Sequence, residues 1–438
     1  MGRSNQSSFI LQKYRLPEVI LNFMSSSGYQ LITLPNGLRI AHVPIPYGKV
    51  INCGFVIHAG SRNDGSIDGM AHFLEHMFFK GTKKRKTHHV LNHLEVVGGE
   101  LNAFTTKEIT ALYAQVQRKD FARAVDILYD VTFQSVFPEK EILKERRVIL
   151  DEINMYRDTP EENIYDEFQE LLFKEHPLAH NILGTPESIQ KIDKHQLDQF
   201  VHRNYNFDNM VFVVVGNISQ DRVLKTVEKY LPNRESASAT HYLNHLTSQW
   251  KYSPFRETKE SDFGQAYTMM GVPTYAETHE ERFSLMLLNN LLGGPGMNSR
   301  LNLAIREKYG YTYNIESGYQ PYSDTGMFHC YLSCEEKYMD RSIFLMEKEL
   351  KRLMEKKLGR VQLSQAKKQL CGQLMMANES KSSLLVHVGK GILKYGRAKN
   401  VEETISQINQ LSAEKLLTVA NEVFDLDSFS YLRYTPSR

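Results

Sequence analysis

Four cysteines in 438 residues, at positions 53, 330, 334 and 371, are too few to staple a chain of this length. Cys330 and Cys334 fall at i and i+4 on one face of an expected strand, too far apart for an easy bridge within it. A reduced compartment fits that usage. No apolar run approaches the roughly 18 residues of a membrane span, which excludes a helical membrane protein and points to a soluble chain. Charge of one sign is also missing. With 53 basic side chains against 51 acidic ones, nothing favours nucleic acid as a partner. Residues 1–13 lack the sustained apolar core of a secretory signal, so a cytoplasmic location is expected. The same stretch is short of acids, which keeps organelle targeting open.

What is present stands out against that background. Residues 69–79 read as a helix that is apolar nearly all round except for His72, Glu75 and His76. Spacing of i, i+3 and i+4 projects those three side chains from one face. Buried polar groups need hydrogen-bond partners, charge partners or a metal. Two imidazoles four residues apart can grip one Zn²⁺, and a carboxylate beside the second can hold and deprotonate a water there. The order H-x-x-E-H reverses the commoner H-E-x-x-H and is the inverzincin signature.

Two histidines leave zinc short of a protein ligand, so another carboxylate or His is expected. Residues 138–156 supply candidates. Pro138 suits a first helical turn, acids follow it, and Ile142, Ile149, Ile153 and Tyr156 form an apolar stripe. Glu145 and Glu152 lie about two turns apart on one side of that helix. By themselves they read equally as solvated salt-bridge partners.

The motif followed by 75 residues and then Glu152 resembles the pitrilysin/insulinase class of zinc peptidases. Residues 73–82, Phe-Leu-Glu-His-Met-Phe-Phe-Lys-Gly-Thr, look most like the mitochondrial-processing-peptidase branch and its bacterial relatives. The resemblance implies that His72, His76 and Glu152 bind zinc and that Glu75 is the general base. It also implies that Glu145 supports the site from behind a ligand or through substrate.

At this length two domains are the default, and a weak internal repeat supports them. Residues 29–43 form two alternating strands around an Asn36-Gly37 turn, residues 56–60 lead into the zinc helix, and residues 208–216 form a closing apolar strand. The order recurs as a strand at 266–273, a helix at 281–292 ending at Gly293-Gly294, and a closing strand within 426–434. Residues 99–105 have their counterpart near 310–314. Residues 232–261 are polar and aperiodic, a linker with room for one short element. The resemblance covers both halves and implies an α+β fold, with two homologous domains forming half of a clamshell chamber. The expected parts are an N-terminal extension at 1–27, a zinc-binding domain at 28–234, a linker at 235–255 and a metal-free domain at 256–438.

In the second half, residues 299–313 resemble the family motif whose Arg and Tyr, seven residues apart, face the active site; Arg306 and Tyr313 match it. Both can donate to an oxyanion without titrating near neutrality. The strand at 99–105 is the family's substrate edge, with Asn102 and Ala103 expected to contact an extended peptide by backbone pairing. His88, His89 and His93 read as a solvated helix face rather than a second metal site. The basic run at residues 83–86 reads as a loop, which beside a chamber could favour acidic peptide segments. Together these features lead to an expected zinc endopeptidase, a hydrolase of the processing-peptidase-like branch, acting on unfolded or presequence-like peptides. It would work as a homodimer or as a heterodimer with a related chain. The competing expectation is a non-catalytic peptide-binding or structural core subunit. Such relatives typically lose catalytic groups, whereas His72, Glu75, His76, Glu152, Arg306 and Tyr313 all stand in this chain.

Overall fold

A computed structural model describes residues 20–22, 28–231 and 250–437. The first half builds a seven-stranded sheet from β1 (Ile20–Asn22), β2 (Gln30–Thr33), β3 (Arg39–Pro44), β4 (Val50–Ile57), β5 (Glu100–Thr105), β6 (Thr110–Gln117) and β7 (Met210–Gly216). Their spatial order is β1-β2-β3-β7-β4-β6-β5, antiparallel except where β3 runs parallel to β7. The second half builds five strands, β8 (Arg256–Ser261), β9 (Ala266–Thr274), β10 (Asn314–Pro321), β11 (Gly326–Cys334) and β12 (Ser430–Pro436), in the order β10-β11-β9-β12-β8. Read backwards, that order matches β3-β7-β4-β6-β5 strand for strand. The one parallel pair, β8 with β12, stands where β3 pairs with β7.

The helices follow the same plan. The first half carries α1 (Met70–Met77), α2 (Thr87–Glu95), α3 (Phe121–Phe133), α4 (Glu139–Arg157), α5 (Pro160–Leu172), α6 (Pro186–Lys191), α7 (Lys194–Asn204) and α8 (Gln220–Tyr230). The second carries α9 (Arg282–Gly293), α10 (Glu336–Glu355), α11 (Arg360–Asn378), α12 (Lys381–Tyr395), α13 (Val401–Gln410) and α14 (Ala413–Val423). Helix α9 follows β9 as α1 follows β4, so the metal-free helix stands at the topological position of the histidine-bearing one.

Each half lends a helix to the other's sheet. One face of the first sheet buries Phe55, Phe212 and Val214 among its own helices. Its opposite face buries Val56, Val211, Val213 and Val215 under Leu385, Val388 and Ile392 of α12. With both faces covered, β7 needs apolar residues at every position, which is why it reads as a continuous run rather than an alternation. In return, Ile164, Phe168 and Leu172 of α5 lie on Tyr267, Met269 and Leu432 of the second sheet.

A buried ionic network ties the halves together. Arg62 donates to Glu108 (2.7 Å), Ser323 (2.9 Å) and Asp324 (2.9 and 2.5 Å). Lys394 reaches both Glu108 (2.5 Å) and Glu277 (2.7 Å).

Strand β8 takes the place left for one short element at the end of the 232–261 stretch, where the second domain was expected to begin; its Arg-Glu-Thr-Lys-Glu-Ser sequence carries no apolar face, and backbone pairing to β12 holds it. Two expectations change. The closing strand of the second half begins at Ser430 because residues 426–428 form a 3₁₀ turn. The first sheet starts at β1, within the stretch assigned to an N-terminal extension. Otherwise residues 1–19, 23–27 and most of the 235–255 linker lie outside the described residues.

Candidate metal centre

Helix α1 is short and starts abruptly. Gly69, at φ +87°, occupies the left-handed region, and a Cβ there would stand 2.7 Å from the Leu183 carbonyl oxygen. Asp64 accepts from the Gly69 and Ala71 amides at 2.7 and 2.9 Å, satisfying groups that the first helical turn leaves unpaired. Met70, Phe73, Leu74 and Met77 are buried, and α1 packs against α4, α7 and β5. This packing presents His72, Glu75 and His76 to the flank of α4.

Glu152 meets them there. Its Oε2 lies 3.8 Å from His72 Nε2 and 3.6 Å from His76 Nε2. One ligand atom from each of the three residues falls within 4.8 Å of the others, the only such trio of possible metal ligands among the described residues. Neighbouring ligands on tetrahedral zinc, with bonds of about 2.1 Å, would stand about 3.4 Å apart. The donor set and its spacing therefore fit a zinc ion. Burial, then the adjacent His76, lowers the His72 imidazole to about 3, so it is neutral near physiological pH, the form that ligates metal.

Glu145 stands behind His76, with Oε2 at 3.1 Å from Nδ1, while its other oxygen pairs with Lys80 at 2.6 Å. Burial would raise this carboxyl, but the His76 and Lys80 hydrogen bonds together outweigh it and hold Glu145 below its ordinary value. An ionised carboxylate only accepts, so Nδ1 carries the proton and Nε2 is left free toward Glu152. His72 Nδ1, by contrast, is buried with no hydrogen-bond partner among the described residues. Glu75, next to His76 in sequence, accepts from Thr105 Oγ1 at 2.6 Å. Burial raises its affinity for a proton, opposed by the Thr105 hydrogen bond.

The remaining expected residues are placed less tightly. Asn102 and Ala103 lie in β5, which among the described residues pairs only with β6 and forms the edge of its sheet. Arg306 sits in a π-helical stretch, Asn302–Glu307, half-buried, with Glu307 at 3.8 Å. Tyr313 is 89% exposed, just ahead of β10. Among the described residues no hydrogen bond or ion pair joins either one to the histidine–glutamate cluster. The neighbouring Asn314 does reach the first half, donating to Glu161 of α5 at 3.1 Å. Thr105 and Lys80 were not anticipated as site residues. Lys80 continues the i, i+4 series of His72 and His76, a signal present in the sequence, whereas Thr105 depends on the docking of β5 against α1.

His88 and His89 are exposed, and His93 faces Asp126 at 3.9 Å. In the basic loop, Arg85 is engaged by Asp126 and Asp130. All four cysteines are buried free thiols. No helix among the described residues is long and apolar enough to cross a membrane.

Comparison with known proteins decides the family. Residues 39–186 match the family model described as insulinase (peptidase family M16), and residues 191–370 match the peptidase M16 inactive domain. An uncharacterized zinc protease of Bacillus subtilis (strain 168), YmxG, is 33% identical over 90% of this chain and 95% of its own. The chain belongs to the insulinase-type peptidase family M16. A second relative, an uncharacterized zinc protease of Mycobacterium leprae (strain TN), is 31% identical over 91% of this chain and 90% of its own. The fold agrees. The crystal structure of a peptidase M16 inactive domain from Pseudomonas fluorescens superposes with a TM-score of 0.84 at 20% identity, covering 94% of this chain and 98% of that one. A protease from Helicobacter pylori gives 0.82 at 21% identity, covering 93% and 99%. The two M16 domains are α+β, as the family resemblance implied.

Proposed function

We propose that this M16 chain is a zinc endopeptidase that hydrolyses unfolded or presequence-like peptides. One observation carries the reading: His72, His76 and Glu152 converge at ligand spacing with a partly buried carboxylate, Glu75, on the same helix face. In this reading the three residues hold zinc, and Glu145 orients His76. Bound there, zinc would supply the Lewis acidity that lets water attack a peptide carbonyl near neutral pH.

The chain's own groups do the rest. Glu75, with proton affinity raised by burial, takes a proton from the attacking water and delivers it to the leaving amine. Thr105 restrains its rotamer. The free edge of β5, with Asn102 and Ala103, aligns the extended substrate backbone. Arg306 and Tyr313 donate to the carbonyl oxygen as charge develops on it; the exposed Tyr313 hydroxyl and the Asn314–Glu161 contact beside it support that role. Two such domains make half a shell, so a second copy or a related chain completes the chamber.

Digestion of a denatured peptide library, read by mass spectrometry, tests the activity. Glu75→Gln should keep zinc and lose roughly two orders of magnitude in turnover or more. Tyr313→Phe should keep zinc and fold while turnover drops. Parental cleavage by Glu75→Gln, or no zinc in purified protein after incubation with the metal, would overturn the reading.

A further inference from the structure

A cavity of about 590 Å³ opens between the start of α9, the end of α11, α12 and α13, and every residue lining it belongs to the second half. None of them is a candidate site residue. Phe283, Met286, Leu374, Leu384 and Val401 make the wall mainly apolar. A smaller recess of about 150 Å³ shares Leu384, His387 and Val401 with it and reaches Tyr29 and Val43 of the first half.

The charges lining this cavity are mostly basic: Arg282, Lys390, Lys394 and Lys399 face the single carboxylate of Glu277. Arg282, Lys390 and Lys399 line it, are each half-buried, and have no carboxylate within 4.0 Å among the described residues. Arg282 donates to the His279 carbonyl and lies over the Phe283 ring at 4.2 Å, with Lys399 5.7 Å from the same ring. The acid that lines the cavity, Glu277, is taken by Lys394 at 2.7 Å. Burial, then the neighbouring Lys394, lowers Lys390; burial, then Arg282 and Arg397, lowers Lys399. Glu277 and Glu108 offset part of this at Lys390, and Glu403 at Lys399, but among the described residues none of them forms a direct ion pair with these cations, which crowd the edge of an apolar chamber. A small anion would relieve them.

We propose that this cavity binds an amphiphilic carboxylate, an alkyl chain in the apolar chamber with its head group among Arg282, Lys390 and Lys399. Apolar walls supply most of the affinity in such a site, and a few polar groups fix the orientation. Because α12 forms one wall and also covers the first sheet, a ligand here bears on the seam between the halves.

Dodecanoate, titrated into the full chain by calorimetry below its micelle-forming concentration, is the probe. It should bind saturably, whereas butanoate, lacking the chain, and dodecanol, lacking the charge, should bind far more weakly. Lys390→Gln combined with Lys399→Gln should weaken dodecanoate by about tenfold or more, the scale of a lost charged contact, and leave dodecanol unchanged. Met286→Trp should obstruct the chain. Melting curves verify that each variant folds, and the lysine variant decides alone if the tryptophan variant does not. Absence of saturable binding, or equal dodecanoate affinity in the folded lysine variant, would overturn the proposal. Binding of an apolar peptide through its free C-terminus, without dodecanoate binding, would overturn it too.

Discussion

His76 is addressed at both ring nitrogens, Nε2 by Glu152 and Nδ1 by Glu145, and Lys80 in turn fixes Glu145. That relay makes Glu145 a positioning residue. Glu145→Gln keeps the size but loses the charge that holds Lys80 and enforces the His76 tautomer. Zinc affinity should fall about 10- to 100-fold, the usual cost of losing a group behind a metal ligand. Competition with a chelating dye measures it, and unchanged affinity would show that His76 orients itself. His72, Glu75, His76 and Glu145 with Glu152 were legible because helical spacing alone brings each set to one face. Choosing Glu152 over Glu145 as the ligand required the family resemblance, since both lie on one side of α4. Thr105 was illegible. It comes from a strand whose approach to α1 is decided by packing.

At the scale of elements, apolar patterns and turn residues located the strands at 29–43, 208–216 and 266–273 and the helices at 69–79, 138–156 and 281–292, while most other helices of both halves were not read from the sequence. Strand β8 had no apolar pattern, and its edge position explains why polar residues suffice there. An amphipathic helix shows that it has a face to bury, but not which sheet will bury it. The exchange of α5 and α12 was therefore invisible in the sequence. Gly389 records one consequence. A Cβ there would lie 2.5 Å from Val56 Cγ2, so α12 approaches the first sheet where only glycine fits. Gly389→Ala poses two effects against each other. Alanine gains about 1 kcal/mol in helix propensity, while overpacking costs about 1–3 kcal/mol. With Val56 on a buried central strand unable to withdraw, net destabilisation is expected, and Val56→Ala should restore part of it. Denaturant unfolding of the single and double variants measures both; a more stable Gly389→Ala protein would show that α12 can shift outward cheaply.

On the scale of the whole molecule, the exchanged helices mean that neither half is a natural test piece. Cutting the chain between them would expose the valine face under α12 and the aromatic face under α5. The contribution of the second half to activity is better read from point variants in the intact chain. The ionic network at the seam has its own signature. Glu108 is buried, which by itself would raise its pKa, yet Lys394 and Ser323 hold it at about 2, below its ordinary 4.5. A carboxyl depressed on folding stabilises fully above its unfolded pKa and loses that contribution as pH falls through the folded one. Asp324, paired with Arg62 and His176, is shifted the same way. The two halves should therefore loosen on acidification from about pH 4.5 downward, with neutral pH well inside the stable range. Glu108→Gln would leave Arg62 and Lys394 buried without this carboxylate, at a cost of about 3–5 kcal/mol near neutrality. The stability gap between parent and variant should narrow as pH falls from about 4.5 toward about 2, because across that range Glu108 of the unfolded parent takes up a proton before the folded one does. Unfolding free energies measured across that range test it. A gap that stays constant with pH would mean that Glu108 holds the halves together by packing and neutral hydrogen bonds rather than by its charge.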